Sequence, residues 1–513
     1  LERARAAFLR QRLSRRRLFV IGTGAAASAV GLGLAFAPVN VRRTLAEDNF
    51  FEPEVRASKD GLLDTQLDAA ISHTTLNGLP AILSVYEGTY PGPTLHFRPG
   101  DTVNLHLMNN LYPTDGMAPM TAPSMAHVEA DDVNPTNLHV HGLHVSPSGH
   151  SDNVLYEVKL GTTFDYSYQL PKNHPAGLYW YHPHRHGFSN EQVLGGMAGA
   201  IIIQGDIDEI PGIAGVKERM IFLQASPITC PTDPSQPCGL SPNSARNQQT
   251  FQHFVNGRRN PTITIQPGET QRWRIANSSA FTFFRLKLDG HVMHQIAQDG
   301  NTLDVVVPHD EIVLGPAERA EVLIQGGVAG SYRFRTLPFD LQQGPGGLTA
   351  QEGAVGPDVT LATLVSQGDS VVRQPLPTKL LPYVDLRNVP IDGQRRLISF
   401  QVQPNGNFDI NNLTFDHERV DQTMKLGTTE EWTIRNGSNV FHPFHIHINP
   451  FQITAVNGRP YEGHGYKDTV SIPPQGELTF RTQFLDFTGQ YVFHCHILTH
   501  EDSGMMQLIE VVD

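Results

Sequence analysis

"RPGDTVNLHLMNN" (residues 98–110), "QPGETQRWRIANSS" (266–279) and "KLGTTEEWTIRNGS" (425–438) are one pattern written three times. Each carries a glycine and, nine residues later, an asparagine: Gly100/Asn109, Gly268/Asn277 and Gly427/Asn436. Polar and apolar residues alternate between them, as in a half-buried β-strand that leaves a turn. A second shared segment follows each copy: "AGLYWYHPH" (176–184), "AGSYRFRTL" (329–337) and "TGQYVFHCH" (488–496), with Gly177/Tyr179, Gly330/Tyr332 and Gly489/Tyr491 in register. The repeat predicts three consecutive all-β units of roughly 120 to 160 residues, an ordinary domain size. With 46 Gly and 37 Pro among 513 residues, short strands and turns are favoured over helices. Greek-key sandwiches or barrels are expected. The expected units are 47–205, 206–375 and 376–513, after a leader over 1–46.

The copies differ in their histidines. Four separate His-x-His pairs occur, His139/His141, His182/His184, His445/His447 and His494/His496, all in the first and third units, with His186 overlapping the second. Where the outer copies read "NLHVHG" and "PFHIHI", the middle reads "FFRLKL", with Arg285 and Lys287 in the histidine places and Arg335 in that of His182 and His494. Cations cannot share a metal site, so the middle unit is expected to act as a spacer without ligands. On a strand, residues i and i+2 share a face about 7 Å apart. Two pairs from each outer unit, meeting at one interface, would therefore surround a metal cluster with eight imidazoles. Imidazole suits several metals, and the pairs alone do not choose one.

Cys495 narrows the choice. Lying between His494 and His496, it must face the other side of its strand, toward a second site inside the third unit. His442, His500 and Met505 are available there. One thiolate, two imidazoles and a weak thioether are the ligands of a blue-copper electron-transfer centre. Pro183 takes the place of the cysteine in the first unit, so one such centre is expected.

"HVHG", "YHPH", "HPFHIH" and "HCHILTHEDSGMM" together resemble the four copper signatures of the three-domain multicopper oxidases, the laccase-like family, over roughly residues 60 to 513. The resemblance implies three cupredoxin-like domains and four copper ions. It places type 1 copper on His442, Cys495, His500 and Met505. The type 2 ion would sit on His139 and His445, and the type 3 pair on His141, His182, His184, His447, His494 and His496. It implies one-electron oxidation of a small donor coupled to reduction of O2 to water. Asp152 in "GHSDNV" matches the family's acid at the cluster, with a spacing from His139 two residues longer than in several relatives, and Glu501 matches an acid that relays protons. Both are expected to be catalytic, because O2 reduction consumes protons. Asp502 is expected to be structural. An axial Met505 implies a low-to-middle potential, which favours phenols, aromatic amines or metal ions as donors.

Two other readings compete with a laccase-like oxidase. One is a metallo-oxidase of Cu(I), Fe(II) or Mn(II) serving metal tolerance. The other is a copper-free envelope-assembly scaffold, which the twelve filled ligand positions oppose. The remaining nearby histidines, His144, His150, His174 and His186, fit no ligand position and are expected in outer or surface roles. Met117, Met120 and Met125 could form a copper-delivery patch, since thioethers favour Cu(I), or simply a loop.

The formal charge of −13 and the absence of a basic patch outside the N-terminus argue against nucleic acid as partner. "SRRRLF" (14–19), followed by a Gly/Ala-rich run, resembles a twin-arginine export signal. Candidate cleavage follows Ala35-Phe36-Ala37 or Thr44-Leu45-Ala46; the second cut removes nine Arg and one Glu and takes the charge to −21. A periplasmic or extracellular monomer without a membrane span is expected. Cys230 and Cys238, bracketing "CPTDPSQPC", would then be free to pair as a disulfide.

Overall fold

In the computed structural model the described residues are 48–113, 133–241, 250–341, 356–403 and 406–513. The glycine of each repeat opens its turn in the left-handed region, with φ of 87° at Gly100, 88° at Gly268 and 82° at Gly427, where a side chain would be strained. The strands that leave these turns, Thr102–Asn110, Thr270–Asn277 and Thr428–Asn436, run through the middle of three sheets. In the first of them buried and half-exposed residues alternate without a break, as the polar–apolar alternation predicts.

The repeated asparagine explains itself. Asn109, Asn277 and Asn436 are buried, and each uses its side chain as a clasp. Asn109 Nδ2 donates to the carbonyls of Asn134 and Val158, and Asn277 Nδ2 to those of Thr282 and Leu314. Asn436 Nδ2 donates to Val440 and Ile472, while each Oδ1 accepts the backbone N–H two residues on. A buried amide with all its groups paired fixes the chain reversal that follows the strand.

Each repeat belongs to a pair of sheets. Strands within 55–203 form sheets of four and five, those within 217–366 sheets of six and five plus a small ribbon, and those within 395–512 sheets of six and five. Parallel and antiparallel pairing are mixed within each pair, as when Leu62–Leu76 runs parallel to Thr102–Asn110 and antiparallel to Leu79–Tyr86. The protein is all-β, three consecutive cupredoxin-like sandwiches, each with its own apolar core. Tyr166 and Tyr181 belong to the first core, Trp273 and Phe334 to the second, Trp432 and Phe480 to the third. Two short helices, Ser189–Gly195 and Leu498–Asp502, follow the "YHPH" and "HCH" segments. No helix among the described residues is long and apolar enough to cross a membrane.

The closing segments become strands Gly177–His182, Gly330–Leu337 and Gly489–Cys495, and in each five-stranded sheet that strand pairs with the upstream motif. His139 lies opposite His182 and His445 opposite His494. In the middle sheet Lys287, not Arg285, lies opposite Arg335, two residues on from the place that alignment by sequence assigns. An even step leaves the faces unchanged. The three cations point to acids on the surface: Arg285 and Lys287 to Glu311, Arg335 to Asp289 and Asp358. Cys230 and Cys238 form a disulfide, and Cys495 is a free, buried thiol. The 1–46 segment, with both candidate cleavage points, and the Met117, Met120 and Met125 loop lie outside the described residues.

Candidate metal centres

Strand parity sorts the last motif into two sites. Cys495 shares its face with Phe493 and Tyr491 and packs into the core of the third sandwich. Its Sγ lies 3.3 Å from His442 Nδ1 and 3.6 Å from His500 Nδ1, and the two imidazole nitrogens are 3.2 Å apart. All three residues are buried. Ser438 Oγ, 2.8 Å from His442 Nε2, leaves Nδ1 of that ring facing the sulfur, and Phe408 stacks on His500 with ring centroids 4.0 Å apart. Met505 is wholly buried in the same core, and its carbonyl accepts the N–H of Cys495. Burial pushes the Cys495 thiol well above its ordinary range, so a thiolate here requires a cation beside it.

On the other face of the strand, His494 and His496 meet the first sandwich. The pairs His139/His141 and His445/His447 cross with their rings stacked, His139 on His447 at 3.9 Å and His141 on His445 at 3.7 Å between centroids. The Nε2 atoms of His184 and His447 lie 3.1 and 3.2 Å from that of His494. His182 and His496, 5.3 Å apart between ring centroids, complete a cage of eight buried imidazoles. Within it His139/His141/His182, His139/His445/His447 and His184/His447/His494 each bring nitrogens within 4.8 Å of one another.

The second nitrogen of most rings is held from behind, which orients the ring and sets its tautomer. His139 Nδ1 donates to Asp152 at 2.9 Å, His182 Nδ1 to the Pro183 carbonyl at 2.9 Å and His445 Nδ1 to the Asp468 carbonyl at 2.8 Å. His141 is turned the other way: its Nε2 lies 3.1 Å from both Asp468 Oδ1 and Thr469 Oγ1. Among the cage histidines, His139 Nε2, His141 Nδ1, His182 Nε2, His445 Nε2, His447 Nδ1 and both nitrogens of His496 are buried and have no hydrogen-bond partner. Burial, then the neighbouring imidazoles, hold His139, His447 and His496 well below the usual histidine range, so these rings are neutral and offer lone pairs. A group of metal ions fits this donor set.

Two carboxylates flank the cage. Asp152, wholly buried behind His139, also accepts the N–H of Val140; burial raises it to about 8 despite that bond. Glu501 lies behind His184 and His494, 3.6 and 3.1 Å from their Nδ1 atoms. The His494 N–H points at the Cys495 carbonyl, so its contact with Glu501 is electrostatic. Burial alone would raise Glu501, but His184 and His494 outweigh it and hold the carboxyl below its ordinary range. Asp502 accepts the N–H groups of Gly187 and Asn190 and so ties the third sandwich to the start of helix Ser189–Gly195.

The other four histidines bond elsewhere. His144 reaches the Ile448 carbonyl and Asp486, His150 the Asp165 carbonyl, and His174 the Pro175 carbonyl, while His186 packs on Phe415. Sequence reasoning missed Asp468, Thr469, Ser438 and Arg319. Only Ser438 lies in a motif, at the end of the third repeat, and the one weak signal for Arg319 was a charged residue opening a buried strand. Arg319 comes from the middle sandwich yet forks onto Asp468 at 2.7 and 2.6 Å, so that sandwich does more than space the outer two.

A buried centre of one cysteine and two histidines, joined through one strand to an eight-histidine cage on three β-sandwiches, defines a copper oxidase. Three family models, each described as multicopper oxidase, match residues 127–207, 232–350 and 389–513. Among curated relatives, "Multicopper oxidase mco" of Staphylococcus haemolyticus is 29% identical over 440 residues, 83% of each chain. "Laccase" of Bacillus subtilis is 28% identical over 490 residues, covering 85% of this chain and 91% of that one. Among solved structures, the Campylobacter jejuni multicopper oxidase, titled a metallo-oxidase, matches with a TM-score of 0.73 at 25% identity, covering 94% of this chain and 99% of that one. The Pediococcus acidilactici laccase matches with a TM-score of 0.74 at 25% identity, covering 91% and 95%. The chain belongs to the multicopper oxidase family. It is a copper-dependent oxidoreductase that uses O2 and a reducing substrate.

Proposed function

We propose that this oxidase is laccase-like, acting on phenolic or aromatic-amine donors and reducing O2 to water with four copper ions. Type 1 copper would be held by His442, Cys495, His500 and Met505, type 2 by His139 and His445, and the type 3 pair by His141, His182, His184, His447, His494 and His496. The observation that carries this reading is the convergence of buried, partnerless imidazoles in one cage, beside a separate site of one thiol and two imidazoles. Copper, when bound, supplies one-electron redox chemistry at one site and O2 binding at the other.

The chain's own residues do the rest. Cys495 is covalently continuous with His494 and His496, so an electron entering on its side of the strand reaches the cage through the backbone. Asp152, raised to about 8, holds a proton at neutral pH beside His139 and can yield it once a cation's charge lowers its affinity. Glu501, ionised between His184 and His494, can accept a proton and pass it inward.

Domain limits near 205/206 and 375/376, export of a monomer by the twin-arginine route to the periplasm or beyond, and cleavage of the 1–46 leader belong to the same reading. A metallo-oxidase of Cu(I), Fe(II) or Mn(II) is the second reading, favoured by the likeness to the Campylobacter jejuni protein. O2 uptake by the copper-loaded protein with a phenol, an aromatic amine, Cu(I), Fe(II) and Mn(II) decides between them. Faster turnover of a metal ion than of every organic donor refutes the laccase-like reading.

A further inference from the structure

Arg319 is the cation through which the middle sandwich reaches the cage, and its orientation is over-determined. Its Nη1 and Nη2 bind the two oxygens of Asp468 at 2.7 and 2.6 Å, Nε donates to the Leu178 carbonyl at 3.3 Å and Nη1 to the Ala317 carbonyl at 3.1 Å. The guanidinium lies over the Tyr179 ring, 5.8 Å from its centroid. Gly142, at φ 86°, clears the way, because a Cβ there would collide with Asp468 Oδ2 and Arg319 Nη2. Residues from all three sandwiches thus converge on one ion pair, both members of which are almost wholly buried.

That pair determines which nitrogen His141 offers. Asp468 Oδ1 also accepts the Thr469 hydroxyl at 2.8 Å, so the hydroxyl's lone pairs face His141 Nε2 and His445 Nδ1 at 3.1 and 3.2 Å. With only acceptors around it, His141 Nε2 carries the proton, and Nδ1 is left bare inside the cage. Asp468 lies close enough to His141 and His445 to be a ligand itself. The fork on both its oxygens holds it as an acceptor behind the ring instead.

We propose that Arg319 is a positioning residue for the copper cluster: by fixing Asp468 it holds His141 in the tautomer and ring orientation that present Nδ1 to the metal. The inference rests on the copper reading of the cage. Outer-shell partners of metal-binding histidines are worth about 10–100-fold in metal affinity, and the middle sandwich would supply that share without contributing a ligand.

The test uses full-length protein, with copper content, the electron paramagnetic resonance of type 2 copper and the near-ultraviolet absorption of a type 3 pair as readouts. The blue colour of the Cys495 site serves as internal control. Wild type must first load its cluster; if it does not, the copper reading fails and the variants are not needed. Arg319→Lys keeps the charge and loses the fork. It should keep its blue colour while cluster copper binds about 10–100-fold more weakly, with altered type 2 and type 3 signals. A purely structural ion pair is separated by the double variant Arg319→Met/Asp468→Leu, since apolar replacement of a buried pair is often neutral or stabilising. It should fold, turn blue and still lack a normal cluster. Wild-type cluster affinity and spectra in both variants would overturn the proposal.

Discussion

In the copper-free protein the cage should be frustrated, and copper should relieve it. Seven imidazole nitrogens of six cage histidines are buried without a partner. A buried polar atom left unpaired costs about 1–3 kcal/mol, of which water in a polar cavity recovers part. Several kcal/mol should therefore return when the metal binds. At about 2–4 °C per kcal/mol for units of this size, loading should raise the unfolding temperature on the order of 10 °C. Copper binding by histidines of the unfolded chain will subtract from that. Calorimetry of copper-free and copper-loaded protein measures the shift. His496 makes the reasoning refutable, because neither of its nitrogens has a hydrogen-bond partner on another residue to lose. His496→Leu should leave the copper-free protein as stable as wild type or more so, while largely abolishing the gain from copper. If His496→Leu destabilises the copper-free protein by more than about 1 kcal/mol, the cost of a lost hydrogen bond, the ring is already satisfied and the frustration argument is wrong.

Three further outcomes follow from the geometry. Cys495→Ser should abolish both blue colour and oxidation while far-ultraviolet circular dichroism and the type 2 resonance persist; oxidase activity in that variant would refute the electron route. Glu501→Gln keeps the shape and removes the proton acceptor. Anaerobic donor should bleach its blue colour at the wild-type rate, while reoxidation by O2 slows about 100-fold or more, and wild-type reoxidation would return Glu501 to a structural role. His174, buried and accepting the His144 N–H, is lowered to about 4 by burial, partly offset by its bond to the Pro175 carbonyl. A lowered histidine gives its full stability above the unfolded value near 6.5 and loses it as pH falls through 4, at most about 3 kcal/mol. The urea-midpoint advantage of wild type over His174→Gln at pH 7 should therefore shrink by pH 4.5. An unchanged difference would show that folded and unfolded chains take up this proton together, so that burial does not lower His174.

What could be read from the sequence was whatever a strand's period of two encodes. His494 and His496 had to share a face and Cys495 had to take the other, because parity follows from the pleat alone. The glycines and asparagines of the repeat were legible for a similar reason, since each answers a local demand of its own turn. Asp468 and Arg319 were not legible. Nothing near "YKDTVSI" (466–472) or "PAERAEV" (316–322) says that these side chains meet, 149 residues apart, behind His141. Their meeting depends on how three sandwiches dock, and docking leaves no period in a sequence. The middle copy shows the same limit on a smaller scale: its residues align with the others by eye, yet its ladder sets Lys287 opposite Arg335, two residues on.

This division bears on how the oxidase assembles. No single sandwich holds the cage, since His139, His141, His182 and His184 come from one and His445, His447, His494 and His496 from another. The Cys495 site lies wholly within the third sandwich, from Phe408 to Met505. The two centres should therefore respond differently to damage at the sandwich interfaces. A lesion at Gly142, Tyr179 or Arg319 acts on the cage alone, whereas a lesion in the core around Trp432 and Phe493 reaches the Cys495 site first. The strand Gly489–Cys495 is where the two fates join, because one face of it packs that core and the other closes the interface. Coupling the electron entry to the oxygen site through one strand also makes that strand's register the most sensitive single feature of the molecule. A slip of one residue would turn Cys495 into the cage and His494 into the core, leaving neither centre with its ligands.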